Sequence, residues 1–239
     1  MLRYHYFSLA LLALSLSLSQ SAKAELSEHL KEQIGLNDME SFHRTTPGPF
    51  VEKDVSYEDY NYKLFEDNAD PNLEKKVKAV KKAIRMLIDK HIMPPDGLQI
   101  YLTNNYETQN RAFERDEHWN PVALITLGPN ALEGGRLDAL SSTKSHFFLS
   151  KATITTIHEI GHILHERNAG DSFWDGSFKS KAQNAGSVSG YASMNKKEFV
   201  AEVFAGVVIG MRFPRDVFTE YEALQGPTLP PKLIRIKHE

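Results

Sequence analysis

The residues with most to offer chemically stand in His158-Glu159-Ile160-Gly161-His162, an H-E-x-x-H pentapeptide. On a helix, residues four apart share one face, so His158 and His162 can turn two imidazoles onto one metal ion. Glu159 is displaced about 100° around the helix and is poorly placed as a further ligand. It can instead set its carboxylate beside a water on that metal and act as general base. The helix itself is expected from Ile154, Ile157, Ile160, Ile163 and Leu164 around the motif. The plain alternative is a helix whose histidines pack as ordinary polar residues. A chain with ten histidines meets the pattern by chance roughly a few times per hundred sequences.

The third ligand decides the subclass. A metzincin pattern would require Gly at 165 and His at 168, where this chain has His165 and Asn168. His165 can approach the metal, or it can favour the dipole at the helix C-terminus. The pair Glu198 and Glu202 is a better donor set, again four apart on one face. Glu202 sits among Phe199, Val200, Ala201, Val203 and Phe204, where a lone carboxylate is costly unless paired. A metal-bound histidine whose outer nitrogen needs an acceptor is its natural partner. Glu198 then faces the metal, which completes a two-histidine, one-glutamate site with a fourth position for water. Alternatively, Asn195 followed three residues later by Glu198 is a capping-box-like helix start; that explains Glu198 and leaves Glu202 without a reason. Tyr191, directly after Gly190, either donates to the oxyanion of a tetrahedral intermediate or anchors its loop by packing.

These residues need elements to hold them. A helix over 151–167 carries the motif, a Gly/Ser-rich stretch over 168–190 follows, and a second helix over 195–211 carries the glutamates. The stretch between, with Trp174 and Phe178, is either a lid or a surface loop with its own packed aromatics. Upstream, Asp70-Pro71 reads as an N-cap and first helical position of an amphipathic helix to about residue 90, with Leu73, Val77, Val80, Ile84, Leu87 and Ile88 on its apolar face. Its Lys75, Lys76, Lys78, Lys81, Lys82 and Arg85 are read as a solvated face. Strands are expected over 98–103, 122–127 and 146–149. Either of the last two could bind an extended peptide by strand addition.

The whole chain of 239 residues has 28 Lys+Arg, 31 Asp+Glu and no cysteine. Disulfides, thiolate metal sites and a cysteine nucleophile are therefore excluded, and any metal must be held by His, Asp or Glu. A net charge of −3 gives no broad basic face for nucleic acid. Arg3, an apolar run over 7–18 and Ala22-Lys23-Ala24 read as a signal peptide, 1–24, with cleavage near Ala24. No later stretch reaches the ~20 apolar residues of a membrane span. A secreted protein, extracellular or periplasmic, is the expectation. Residues 25–70, polar and acidic around Thr46-Pro47-Gly48-Pro49, form an N-terminal arm or a pro-segment. Residues 71–239 form the functional domain, in lobes of about 71–167 and 168–239.

The run from Tyr191 through Glu198 and Ala201-Glu202-Val203-Phe204-Ala205, downstream of His158 and His162, resembles the catalytic-domain signature of anthrax lethal factor and the secreted Pro-Pro endopeptidases. In that family a tyrosine seven residues before the ligating glutamate assists catalysis, and an A-E-x-F-A segment follows. Tyr191, Glu198 and residues 201–205 match that spacing, and the resemblance covers about 151–218. It implies an α+β fold of the zincin, gluzincin-type class, with an N-terminal α/β lobe and a helical C-terminal lobe. It also implies one zinc ion on His158, His162 and Glu198, Glu159 and Tyr191 as catalytic residues, and hydrolysis of a protein or peptide substrate. No counterpart of the substrate-contacting loop of the Pro-Pro endopeptidases is found, so proline-containing substrates stay an open class. Two rivals remain: a non-catalytic peptide-binding or effector protein tied together by zinc, and a metal-dependent amidase acting on cell-wall peptides.

Overall fold

Alternation shapes the first strands. In the computed structural model, which describes residues 50–104, 111–115, 121–132 and 149–237, Tyr60, Tyr62, Leu64 and Glu66 are buried while Asn61 and Lys63 are exposed. This is the period of two of a half-buried strand. Strand β2 (Tyr60–Glu66) pairs antiparallel with β1 (Val51–Tyr57) across a turn in which Glu58 takes φ 53°. Helix α1 (Leu73–Asp89) then crosses to β3 (Gln99–Leu102), parallel to β2, as a parallel neighbour requires. Strand β5 (Pro121–Leu127) pairs parallel with β3, and β4 (Arg111–Arg115) lies beyond it, for a sheet order β1-β2-β3-β5-β4. The chain divides into two units, Met1–Thr45 with Arg115–Asn120, and Thr46–Glu114 with Pro121–Glu239. Apart from Arg115, every described residue belongs to the second.

Helices α2 (Lys151–Ala169), α3 (Lys196–Ile209) and α4 (Arg215–Ala223) complete a mixed α+β fold. No helix among the described residues is long and apolar enough to cross a membrane. The core joins Leu64, Ile100, Leu102, Ile125 and Leu127 of the sheet to Val80, Ile84 and Leu87 of α1 and to the isoleucines of α2. Each such side chain contributes about 1.5–3 kcal/mol on burial. Ser150 starts α2 by accepting from the Thr153 amide. Gly210 ends α3 at φ 91°, a left-handed turn that glycine adopts without a side-chain clash.

Several expectations are corrected. Residues 51–66, placed with the arm, are two strands of the sheet. Helix α1 begins at Leu73 and not at Pro71, while Asp70 makes the expected cap-type bond ahead of it: its Oδ1 accepts from the Asn72 amide at 2.8 Å and its Oδ2 accepts from Lys76 Nζ at 2.6 Å. Lys76 is not on a solvated face. It is fully buried and also donates to the Thr103 and Leu127 carbonyls, at 2.8 and 3.4 Å, so one ammonium joins the loop before α1 to the ends of two strands. Strand β5 is flanked by β3 and β4 and has no edge for strand addition. The signal peptide, residues 25–49 and residues 146–148 of the third expected strand lie outside the described residues.

The contact of α2 with α3 depends on Gly161. A Cβ there would stand 2.9 Å from Phe204 Cδ1, too close for a packed contact without a shift of that ring, and 3.5 Å from the Ala201 Cα, in ordinary contact. Gly161→Ala is expected to destabilise the fold by about 1–3 kcal/mol. Gly176→Ala, where a Cβ meets nothing within 4 Å, is expected to shift stability by under ~0.5 kcal/mol. Denaturant unfolding of both variants checks this, and equal midpoints would show that the helices can separate without loss.

Candidate metal centre

Helix α2 is buried along most of its length, and His158, Glu159 and His162 are all buried within it. A nitrogen of each histidine and a carboxylate oxygen of Glu159 lie within 4.8 Å of one another, a group that could hold a metal ion. Glu198, in the first turn of α3, faces them across the contact. Its Oε2 stands 3.0 Å from His158 Nε2 and 3.2 Å from His162 Nε2, and the two Nε2 atoms are 3.1 Å apart. Two ligands at 2.0–2.2 Å from a tetrahedral ion stand about 3.3–3.6 Å from each other. The triangle of donors therefore fits an ion with little rearrangement.

Glu198 does not have to choose between capping and ligation. Asn195 caps α3 by accepting from the Glu198 backbone amide at 3.0 Å, which leaves the Glu198 carboxylate free to face the histidines. One turn on, Glu202 is fully buried, and its Oε1 lies 2.9 Å from His158 Nδ1. The contact is a close ionic approach and not an aligned hydrogen bond, since neither atom has a hydrogen-bond partner among the described residues. The other oxygen, Oε2, accepts from Ser189 Oγ at 2.7 Å.

This arrangement has an electrostatic consequence. If His158 donates through Nδ1 to Glu202, its neutral ring presents a lone pair at Nε2 to the Glu198 carboxylate and to His162. Such a cluster needs a cation. Burial opposes charge on His158, but Glu198 and Glu202 outweigh it and hold the imidazole well above its ordinary pKa. Burial likewise works against ionised Glu198, yet His162 and His158 hold its carboxyl far below the usual range. A divalent ion would satisfy all three donors together.

Tyr191 lies in a 3-10 turn, Tyr191–Ser193, with its ring 5.7 Å from that of His158. The structure thus brings His158, Glu159, His162, Tyr191, Glu198 and Glu202 into one region. It keeps His165 out. That ring is neither a ligand nor a charged helix cap: it is buried against Phe173 and Phe178, and its Nε2–H donates to the Leu224 carbonyl at 2.8 Å. The stretch 168–190 is packed, with Phe173, Phe178, Ala182, Ala185 and Val188 buried. Lys197 Nζ sits 3.7 Å from the Phe173 ring centroid and 4.4 Å from that of Trp174, which ties this stretch to α3. Sequence reasoning passed over two contributors. Gly161 could have been noticed as the one position of the motif without a side chain. Ser189 carries no signal beyond lying two residues before Tyr191. No protein-family model matches the chain, and no curated protein matches it.

Burial depresses the pKa of His165 to about 3, with the Leu224 carbonyl opposing the shift and His162 and Lys197 adding to it. Between pH 6.5 and about 3 the unfolded chain therefore binds a proton that the native one does not. Stability rises with pH across this window and falls on acidification, by ~1.4 kcal/mol per unit well inside it. His165→Gln removes the titration and keeps a donor. From pH 6 to pH 4.5 the wild type should lose roughly 1–2 kcal/mol more than this variant in denaturant unfolding, and parallel losses would exclude His165 as the source.

Proposed function

We propose that this protein is a secreted zinc metalloendopeptidase of the gluzincin type within the zincin class, with His158, His162 and Glu198 as ligands of one zinc ion. The observation that carries the reading is the convergence of Glu198 Oε2 on both Nε2 atoms, at 3.0 and 3.2 Å, with buried Glu159 beside them. Two imidazoles and one carboxylate form the donor set of zinc hydrolases that keep a fourth position open. Glu159 favours catalysis over a purely structural tie, which would have no use for a base next to the ligands. The resemblance of 151–218 to the lethal factor and Pro-Pro endopeptidase signature supports the same reading, and export rests on the sequence of residues 1–24.

Zinc, when bound, supplies Lewis acidity to a water and a carbonyl. The chain's own residues do the rest. Glu159 accepts the proton of the attacking water and delivers it to the leaving amine. Tyr191 donates its phenolic hydrogen to the oxyanion. Glu202 accepts from His158 Nδ1, which fixes the ring and leaves Nε2 as the donor atom.

The purified mature chain is expected to bind about one zinc, and Glu198→Ala to lose it. Glu159→Ala should keep zinc and fold while most turnover disappears. Zinc analysis, together with mass analysis of a cleaved peptide library that includes proline-rich sequences, tests both. Full zinc retention by Glu198→Ala moves the third ligand elsewhere, unchanged hydrolysis by Glu159→Ala removes the mechanism, and bound zinc without any cleavage supports a structural tie between helices. Tyr191→Phe is expected to lower kcat about 10²-fold with little change in KM, the size of one lost oxyanion donor. A value within about twofold of wild type would make the tyrosine a packing anchor.

A further inference from the structure

Ser189 lies between two short 3-10 turns, Ala185–Ser187 and Tyr191–Ser193. It is buried at 6% exposure, and its amide donates to the Ala185 carbonyl at 3.2 Å, which sets its place in the loop. Its hydroxyl makes two contacts at once. It donates to Glu202 Oε2 at 2.7 Å and accepts from the Ala192 amide at 2.9 Å. One hydroxyl has both a hydrogen and lone pairs, so both bonds form together.

Followed outward, these contacts make one chain. The Ala192 amide, in the turn that carries Tyr191, donates to Ser189, Ser189 donates to Glu202, and Glu202 Oε1 meets His158 Nδ1 at 2.9 Å. The two oxygens of Glu202 are thus held from opposite sides, by a hydroxyl and by an imidazole. We propose that Ser189 is a positioning residue that sets the Tyr191 turn and the His158 ring relative to each other through Glu202. This rests on the peptidase reading and adds to it a residue that touches neither metal nor substrate. A serine used only to close a local turn needs its oxygen as acceptor from the amide three residues on. Its donation to a fully buried carboxylate from another element has no part in closing that turn. Without the hydroxyl, Glu202 Oε2 and the Ala192 amide both lose a partner where water has little access. The Glu202 carboxylate is then free to rotate, and His158 with it.

The test uses the zinc-loaded mature protein, with Ser189→Ala, Ser189→Thr, Tyr191→Phe and the Ser189→Ala/Tyr191→Phe double variant. At saturating zinc, Ser189→Ala should lower kcat about 10-fold or more, with KM within about twofold, and weaken zinc affinity about 10-fold in chelator competition. Ser189→Thr, which keeps the hydroxyl, should recover most of both losses. Tyr191→Phe should cost less activity in the Ser189→Ala background than alone, because the phenol is already displaced there. If Ser189→Ala does not fold, as judged by melting temperature, Ser189→Cys keeps the size with a weaker donor and carries the same comparison. A folded Ser189→Ala with wild-type kcat and zinc affinity overturns the proposal, as do strictly additive losses in the double variant. A zinc-loaded wild type that cleaves no peptide overturns the peptidase reading instead, and zinc affinity alone then decides the role of Ser189. A wild type that takes up no zinc overturns both.

Discussion

Two helices cannot bury histidines and carboxylates against each other unless those groups meet inside the contact. Helices α2 and α3 face this constraint, since His158, His162, Glu198 and Glu202 all lie along their shared surface. Four-residue spacing on both helices makes the solution possible. It places each pair one turn apart, so one glutamate reaches the inner nitrogens and the other reaches the outer nitrogen of His158. The approach must be close for carboxylates to span the gap, and Gly161 against Phe204 and Ala201 permits it. A wider contact would leave buried carboxylates unpaired, which costs several kcal/mol each.

The remainder of the fold keeps α2 in place. The β2-α1-β3 crossover builds a sheet whose apolar face receives α1 and α2 together. Lys76 then joins the ends of β3 and β5 to Asp70 ahead of α1. A buried ammonium among a carboxylate and two carbonyls resists substitution by a smaller group, since Asp70 would be left charged and dry. At the far end of α2, His165 bonds to the carbonyl at the close of α4, and Asn168 donates to the Gln225 and Gly226 carbonyls. The motif helix is therefore held at its C-terminal end by polar contacts and along its sides by apolar ones.

The legible parts of the sequence were those governed by local spacing. His158, Glu159 and His162 announce themselves by type and interval, and Glu202 by its implausibility as an unpaired charge in an apolar run. Helices α1 and α2 follow from periodicity, and α3 from an apolar run behind Asn195. The β1-β2 hairpin was hidden because β1 is mostly exposed and polar, so its pairing with β2 leaves little hydrophobic trace. Lys76 was misread although its spacing to Ala79, Val80 and Ala83 puts it on the buried stripe. Residue type outweighed position there, and position was right. Strand order is a property of long-range pairing, and for that reason β5 could be recognised as a strand but not as an interior one.

The two glutamates of α3 are alike in sequence and spacing and differ in what surrounds them. Glu198 sits in the first turn with its side chain 17% exposed, and Glu202 one turn deeper with none of it exposed. A ligand to a metal that admits water must stand at the mouth of the helix contact, whereas an acceptor for the outer nitrogen is most effective where water cannot compete. Depth along α3 thus separates the two roles proposed for these glutamates. His158 has a glutamate oxygen near each ring nitrogen, Glu198 Oε2 3.0 Å from Nε2 and Glu202 Oε1 2.9 Å from Nδ1. On the proposed reading, the position of His158 is the reference to which Glu198 on one side and the Tyr191 turn on the other are set.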